Sequence, residues 1–229
     1  MASDPHELRA IAERALEMIP EDAVVGLGTG HAATAFIHAL GERVRQGLRV
    51  RGVPTSQTSA DLARQLGIPL TTLEEIDAID VDVDGADEVD PHCNLIKGYG
   101  GALVREKIVA AASRRVVILV GPEKLVPVLG SHGILPVEVV LFGLPFCRRR
   151  LAAVGYVSQP RLRDGKLVLS DNGNAILDCK VSPIDRPGEL EQTIRAIPGV
   201  VGTGLFLDMA HAVLIQRGDA VEVRQRGVS

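Results

Sequence analysis

The sequence is poor in aromatic residues, and this shortage limits the kind of core that it can build. Tryptophan is absent from the 229 residues, and all aromatic residues together make up only 3%. Apolar residues nevertheless reach 46%, so the core must consist of valine, isoleucine, leucine and alanine. Aliphatic runs of this kind are typical of strands buried on both faces of a parallel sheet.

Cysteine, positive charge and long apolar runs are also scarce. Cys93, Cys147 and Cys179 are far apart and odd in number, which argues against a disulfide framework and favours a reducing, cytoplasmic compartment. The net charge of −4 offers no general basic surface for nucleic acid. No apolar run approaches the ~18 residues of a membrane span, so we expect no membrane partner.

Strand and helix patterns alternate through the first half of the chain. Asp4, Pro5 and Glu7 predict the N-terminus of a helix that reaches about Met18. The next predicted elements are strands over 23–27, 48–53, 68–72, 78–83 and 115–120, with helices over about 32–45, 59–66 and 101–113. This alternation predicts an α/β fold, a mostly parallel open sheet with helices on both faces.

The pattern changes near Gly130, where SHGILP reads as a linker. Beyond it we predict a strand over 135–141, helices over 146–154 and 188–197, short strands around Tyr156, Lys166 and Ala175, and a strand from Val200. Because DGK and DNGN are hairpin turn signals, these strands predict an antiparallel sheet. We therefore predict a smaller inserted α+β domain over 131–204, and an α/β domain over 1–130 and 205–229 to which HAVLIQ and AVEVR return.

The glycine-rich turn GLGTGH, from Gly26 to His31, joins the first strand to a helix. Backbone N–H groups and the helix dipole at such a turn attract an anion. A dinucleotide site would need a third glycine, which His31 replaces, and an acidic residue where the second strand ends in VPTS. The turn therefore predicts a phosphate or small-anion site, with a plain tight turn as the alternative.

The next joint, PTSQTSAD, is rich in hydroxyl groups. Thr58 or Ser59 could cap the following helix or contact a ligand. One residue could serve both purposes, so both interpretations stay open.

Charged side chains cluster in DVDVDGADEVDPHCNLIKGYGGALVREKIVA. Asp84 ends a strand and Asp87 follows it, at the edge where open α/β sheets bind ligands. Lys97 precedes a glycine-rich run and could stabilise an oxyanion, or be a solvated charge. A metal site is disfavoured, because no histidine lies at ligand spacing and the acidic run does not complete a calcium loop.

Glu106 and Lys124 each have two interpretations. Glu106, one turn into its predicted helix, could be a first-turn glutamate favoured by the helix dipole or a general base. Ile108 and Val109 are expected to begin the buried stripe of that helix. Lys124, after the strand that ends VGPEK, could contact a phosphate or be solvated.

Taken together, these stretches resemble the ribose-5-phosphate isomerases of the A type. The similar segments follow the family order: GLGTG, PTSQTSA, DVDGADEVD, LIKGYGGALVREKIVA, VGPEK, LPVEVV, DNGNAILD and IPGVVGTGLF. The resemblance implies interconversion of D-ribose 5-phosphate and D-ribulose 5-phosphate in the non-oxidative pentose phosphate pathway. It also implies that no metal or other cofactor is used, and that the chain forms a homodimer or homotetramer.

The resemblance also implies which residues form the site. Glu106 would be the base, assisted by Asp84, Asp87 and Lys97. The residues implied in substrate binding are Thr29, Gly30, His31, Ala32, Gly85, Ala86, Gly98, Tyr99, Gly100 and Lys124.

Two departures from the family pattern affect these expectations. Ser-Thr usually follows GTG, whereas this chain has His31 and Ala32, so two hydroxyl donors are replaced. His31 could act as a donor instead, more strongly when protonated. Tyr99 stands where glycine is usual, so its side chain either turns to solvent or covers the substrate.

Other classes fit less well. Coenzyme A transferases use a glutamate nucleophile, and amino-sugar phosphate deaminases share the phosphate loop. A sugar-phosphate-sensing regulator would carry a helix-turn-helix before the sensor, whereas one helix is predicted before the first strand. A ketose assay with ribose 5-phosphate separates these classes.

Overall fold

The computed structural model describes residues 8–227, and these fall into two compact units. The first unit contains the described residues up to Ala86, together with Arg105–Lys124 and the described residues from Met209 onward. The second contains Asp87–Val104 and Leu125–Asp208. The predicted division differs mainly in 87–104, which the sequence assigns to the α/β domain and which the structure groups with the second unit.

The strands, in chain order, are β1 (Ala23–Leu27), β2 (Val50–Pro54), β3 (Val81–Gly85), β4 (Glu88–Val89), β5 (Leu95–Ile96), β6 (Val116–Val120), β7 (Ile134–Val139), β8 (Ser158–Pro160), β9 (Leu162–Arg163), β10 (Lys166–Leu167), β11 (Ala175–Lys180), β12 (Val200–Thr203), β13 (Leu205–Phe206), β14 (Ala212–Arg217) and β15 (Ala220–Gln225). The helices are α1 (Arg9–Leu16), α2 (His31–Arg45), α3 (Gln57–Gln65), α4 (Leu103–Ala111), α5 (Leu144–Ala153) and α6 (Pro187–Arg195). Short 3₁₀ turns cover Pro122–Lys124 and Leu141–Gly143.

The first unit is built around a sheet with the strand order β15–β14–β6–β3–β1–β2. The pairs among β2, β1, β3, β6 and β14 are parallel, and β15 pairs antiparallel with β14. The return of the last two segments to this sheet is therefore confirmed. Chain order reverses between β1 and β3, and ligands bind in open α/β sheets beyond the carboxyl ends of the strands at such a reversal.

Helices cover both faces of this sheet, as predicted. Side chains alternate across a strand, so Val25 and Leu27 of β1 point to one face and Val24 to the other. The first face packs in a core with Phe36 of α2 and with residues of α1. The other face packs with Val109 of α4. The core on both faces is largely aliphatic, as the composition predicts.

The second unit contains an antiparallel sheet with the order β12–β7–β11–β8. One face of it packs on α5 and α6 through residues such as Val137, Leu177, Leu151 and Ile194. The predicted α+β character is confirmed. A further small antiparallel sheet, β13–β5–β4, was not predicted from the sequence.

Two local predictions need correction. The segment 68–72 is not a strand, because only Leu70 forms a bridge, to Gly52. Pro69 lacks the N–H that a longer ladder would use. The N-cap of α3 is Ser56 rather than Thr58 or Ser59: its side chain accepts a hydrogen bond from the Ser59 N–H at 3.1 Å.

The other sequence expectations have mixed outcomes. The predicted helix start at Asp4, Pro5 and Glu7 lies outside the described residues. The cysteines are buried and free, and burial, followed by the charge of Asp178, raises the pKa of the Cys179 thiol to about 12. Within residues 8–227, no helix has the length and apolar character required to cross a bilayer.

Candidate active site

In the first unit, the glycine-rich turn after β1 is tied to the end of β3. The Thr29 N–H donates to Asp84 Oδ1 at 3.0 Å, and the Gly85 N–H donates to the same oxygen at 2.7 Å. A Cβ at Gly28 would lie 2.6 Å from the Asp84 Cα and would overlap the carboxylate, so only glycine fits there. Asp84 is thus fixed where the strand order reverses, and the Thr29 amide is engaged by it rather than left for an anion.

Helix α2 begins at His31, directly after this turn. Gly30 is its N-cap with φ 109°, and no side chain among the described residues caps it. The first N–H groups of a helix have no partner within the helix, and its dipole favours an anion there. His31 is exposed and lines an open groove of about 860 Å³ formed by α1 and α2. Ala32 is half-buried and brings no donor side chain.

Hydroxyl groups from the PTSQTSAD joint surround Thr29. The Thr29 Oγ1 lies 2.7 Å from the Thr55 Oγ1 and donates to the Ser56 Oγ at 2.8 Å. The Ser59 hydroxyl donates to the Gly28 carbonyl at 2.6 Å. The joint therefore caps α3 and also supports the glycine-rich turn.

Glu106 lies on the buried face of α4, with 3% of its surface exposed. One turn later, Val109 packs against β1, where its Cγ1 would lie 2.8 Å from a Cβ at Gly26. Residues three apart share a helix face, so Glu106 is directed toward the sheet rather than toward solvent. The expected buried stripe is confirmed for Val109, which is 4% exposed, and is wrong for Ile108, which is 48% exposed.

Lys124 ends the 3₁₀ turn that follows β6, and it is half-buried. Strands β1, β3 and β6 are parallel neighbours, so their carboxyl ends share one edge of the sheet. Thr29, Asp84 and Lys124 therefore follow or end strands at the same edge, as do Gly85 and Ala86.

In the second unit, Lys97 follows β5 and is 3% exposed. Its N–H donates to the Gly204 carbonyl at 2.9 Å. Its Nζ lies 5.6 Å from the centre of the Phe206 ring, within the range of a cation–π interaction. Backbone and ammonium are thus both held by the chain around β13.

Asp87 contacts the glycine-rich loop after Lys97. The Asp87 N–H donates to the Ile96 carbonyl at 2.8 Å, and its Oδ2 accepts from the Tyr99 N–H at 2.9 Å. Tyr99 is 37% exposed, and its hydroxyl donates to the Ile134 carbonyl at 3.4 Å. Burial, followed by the charge of Asp87, raises the pKa of the Tyr99 hydroxyl. This side chain extends toward the start of β7 in its own unit.

The predicted residues are therefore divided between the two units of the structure. The first unit holds 29–32, 84–86, Glu106 and Lys124. The second holds Asp87 and 97–100, including the buried Gly98 and the exposed Gly100. The chain passes from the first group to the second between Ala86 and Asp87.

Sequence reasoning missed residues that support the second group. Arg161 donates from Nη1 to the carbonyls of Gly98 and Tyr99, at 2.7 and 3.0 Å. Glu88, the residue after Asp87, is fully buried, and its carboxylate accepts the N–H groups of Gly130 and His132, each at 2.6 Å, which ties β4 to that segment. No sequence signal could identify Arg161, because an isolated arginine far along the chain reads as a solvated charge.

A metal site finds no support in the grouping of side chains. In the part of the chain from 8 to 227, no set of three or more His, Cys, Asp or Glu residues is arranged to hold a metal ion.

Comparisons with known proteins agree with this arrangement of segments. The family model described as ribose 5-phosphate isomerase A (phosphoriboisomerase A) matches residues 51–220. The ribose-5-phosphate isomerase A of Gloeobacter violaceus is 51% identical over 213 residues, which cover 93% of this chain and 93% of that protein. A solved ribose 5-phosphate isomerase A from Methanocaldococcus jannaschii has a TM-score of 0.90 at 40% identity, covering 96% of this chain and 97% of its own. A solved D-ribose-5-phosphate isomerase in complex with phospho-erythronic acid has a TM-score of 0.92 at 39% identity, covering 96% and 98%. The chain therefore belongs to the ribose-5-phosphate isomerase A family.

Proposed function

We propose that this chain interconverts D-ribose 5-phosphate and D-ribulose 5-phosphate through an enediolate, with Glu106 as the base. The observation that carries the proposal is the position of Glu106 in a chain of this family. The residue is 3% exposed and lies on the face of α4 that packs on β1. A related isomerase was solved with a phosphorylated sugar acid, which supports a sugar phosphate as the substrate class.

The proposed role of Glu106 follows from the chemistry of the reaction. Aldose–ketose isomerisation removes a proton from C2 and returns one to C1. One carboxylate on a single face of a cis-enediolate can perform both transfers. General-base help of this kind is worth about 10²–10⁴ in rate.

Lys97 and the amides of Gly98 and Gly100 are proposed to stabilise the oxyanion, since the Tyr99 amide already donates to Asp87. The ammonium is buried over Phe206, where water screens its charge less than at the surface. Removing one such donor typically costs about 10²–10³ in kcat. Gly98, Tyr99 and Gly100 are assigned to substrate binding through this loop.

The remaining assignments concern the sugar and the phosphate. Asp84 and Asp87 are proposed to bind sugar hydroxyls and to move protons during ring opening, beside the backbone of Gly85 and Ala86. The phosphate is assigned to Lys124 and to the turn that leads into α2. The residues of this turn and of the first helical positions are Thr29, Gly30, His31 and Ala32.

Carboxylate-mediated proton transfer requires no metal and no other cofactor, so the proposed reaction uses neither. A cytoplasmic enzyme of the non-oxidative pentose phosphate pathway is the matching cellular role, with no nucleic-acid or membrane partner. We assign self-association, as a homodimer or homotetramer, to the second unit. The use of 131–204 as a lid stays a prediction.

The test compares the wild type with Glu106→Gln in a ketose assay with ribose 5-phosphate. We expect kcat to fall at least ~10²-fold with little change in KM. Glutamine has nearly the same size and shape as glutamate, but its amide cannot act as the general base. Glu74→Gln, an exposed glutamate of the same unit, is the matched control and should keep wild-type turnover.

Near-normal turnover of Glu106→Gln would remove this residue from the mechanism. A wild type that forms no ketose would favour the transferase or deaminase interpretation instead. EDTA should leave the activity intact, and a loss that a divalent ion restores would overturn the metal-free mechanism.

A further inference from the structure

The glycine-rich loop 97–101 lies between β5 and α4 and is held largely by side chains. Gly98 has φ 110°, and a Cβ there would lie 3.0 Å from the Leu103 Cβ and 3.2 Å from the Pro136 Cβ. The loop makes one turn bond of its own, from the Gly101 N–H to the Gly98 carbonyl at 3.0 Å. Its path therefore depends on contacts with the rest of the second unit.

Arg161 provides two of these contacts. Its Nη1 donates to the carbonyl of Gly98 at 2.7 Å and to that of Tyr99 at 3.0 Å. One guanidinium nitrogen thus holds two consecutive peptide groups of the loop. Hydrogen bonds from a charged donor are stronger than neutral ones, so these carbonyls are firmly placed.

The guanidinium is itself fixed by the antiparallel sheet. Its Nε donates to the Asp178 Oδ2 of β11 at 3.0 Å, and its Nη2 donates to Oδ1 of the same carboxylate. The backbone of Arg161 is bound as well, since its N–H donates to the Ile176 carbonyl at 2.8 Å. The arginine side chain is only 15% exposed. A planar guanidinium group that donates to both oxygens of the Asp178 carboxylate has little freedom to rotate.

The Gly98–Tyr99 peptide group connects Arg161 to a proposed catalytic residue. Its carbonyl accepts from Arg161, and its N–H donates to the Asp87 Oδ2 at 2.9 Å. A peptide group is planar, so fixing the direction of the carbonyl also fixes the direction of the N–H. Arg161 therefore acts on Asp87 through one rigid peptide group.

From this geometry we infer that Arg161, oriented by Asp178, is a positioning residue for the isomerisation. It sets the peptide groups after Lys97 so that Asp87 and the loop amides are ordered before the substrate arrives. The inference rests on the proposed function of this loop. Arg161 itself does not touch the reacting atoms.

The test measures kcat, KM and melting temperature for Arg161→Lys, Arg161→Ala and Asp178→Asn. Lysine keeps the positive charge but lacks the planar guanidinium group with its several N–H donors. It therefore cannot bind Asp178 and the carbonyls of Gly98 and Tyr99 at the same time. We expect kcat to fall about 10- to 100-fold in each variant, because displacement of catalytic groups by about 1 Å costs up to 10²-fold. Arg186→Ala, which breaks the exposed pair of Arg186 with Glu189, is the matched control and should keep wild-type kcat.

A double variant, Arg161→Ala with Asp178→Ala, separates positioning from general loss of stability. If both residues act through one loop, the kcat of the double variant should be no lower than that of Arg161→Ala alone. The effects of substituting two coupled residues do not add. A role in folding only would lower the melting temperature while leaving the kcat of folded Arg161→Lys and Asp178→Asn unchanged, and that result would overturn the inference. Ketose formation by the wild type tests the proposed function separately, so the two failures are distinguishable.

Discussion

At the residue scale, the Asp84 carboxylate has a structural role in addition to the sugar-binding role that we propose for it. Its Oδ1 accepts the N–H groups of Thr29 and Gly85 and so orders the turn after β1. Because the Thr29 amide is used in this way, the phosphate binding that we propose at the start of α2 would depend on the later amides and on side chains. His31 is an exposed side chain there that can donate a hydrogen bond to a phosphate.

His31→Ala should reveal whether this histidine replaces the missing hydroxyl donors. Protonated histidine donates from both ring nitrogens and attracts the phosphate, so affinity should weaken as His31 loses its proton. We expect the KM of the wild type to rise across about pH 5.5–8.5, and that of the variant to change less over this interval. The measurement is KM at each pH for both proteins, with the ionisation of the substrate phosphate treated alike. Parallel profiles would exclude a role for His31.

The position of proposed site residues that follow strands could be predicted from the sequence, whereas contacts from distant parts of the chain could not. Asp84 and Lys124 lie at the carboxyl edge of the sheet, because parallel strands place their ends together. The orientation of Glu106 was left open by the sequence, since packing of Val109 on β1 decides it. The contact of Arg161 with Gly98 spans 63 positions and has no motif, so only the three-dimensional structure reveals it.

At the element scale, β1 and β3 approach closely because β1 carries glycine where β3 carries aspartate. Asp82 lies against Gly26, and Asp84 lies against Gly28. A side chain at either glycine would overlap a carboxylate on the neighbouring strand. The GLG sequence is therefore needed for strand packing as well as for the turn that follows.

Gly28→Ala should consequently damage both stability and turnover. Its Cβ would lie 2.6 Å from the Asp84 Cα, so β3 or the turn must shift. Overpacking typically costs about 1–3 kcal/mol, measurable as a loss in the free energy of unfolding by denaturant titration. Gly188→Ala is the control, because nothing lies within 4 Å of a Cβ there and α6 favours alanine. Equal stability of both variants would contradict this account of the strand contact.

The limits of element prediction have local physical causes. Strand β1 matches its predicted bounds, since an apolar run between a helix and a glycine turn is a strong signal. The two-residue strands β4, β5 and β13 are too short to show any periodicity. In 68–72 the apolar pattern resembles a strand, but Pro69 limits pairing to a single bridge.

At the scale of the whole molecule, the second unit exposes apolar side chains beside α5. Phe142 is 97% exposed, and Val140, Leu141 and Phe146 are each at least 40% exposed. Clustered exposed apolar residues mark interaction surfaces more often than isolated ones do. Aromatic residues are also enriched in protein interfaces. These features support the proposed self-association through this unit.

If the proposed homodimer or homotetramer forms through this surface, Phe142→Asp should shift the protein toward the monomer. A charge placed in the middle of an apolar interface would have to be desolvated without a partner, which weakens association strongly. Light scattering after size-exclusion chromatography, over a range of concentrations, measures the mass of both proteins. Leu73→Asp, at an apolar residue of the first unit that is 43% exposed, is the control and should keep the wild-type mass. Because a side chain this exposed contributes little to the core, the melting temperature of the Phe142→Asp monomer should stay well above the assay temperature. An unchanged oligomeric mass for this variant, or a monomeric wild type, would remove the interface from this surface.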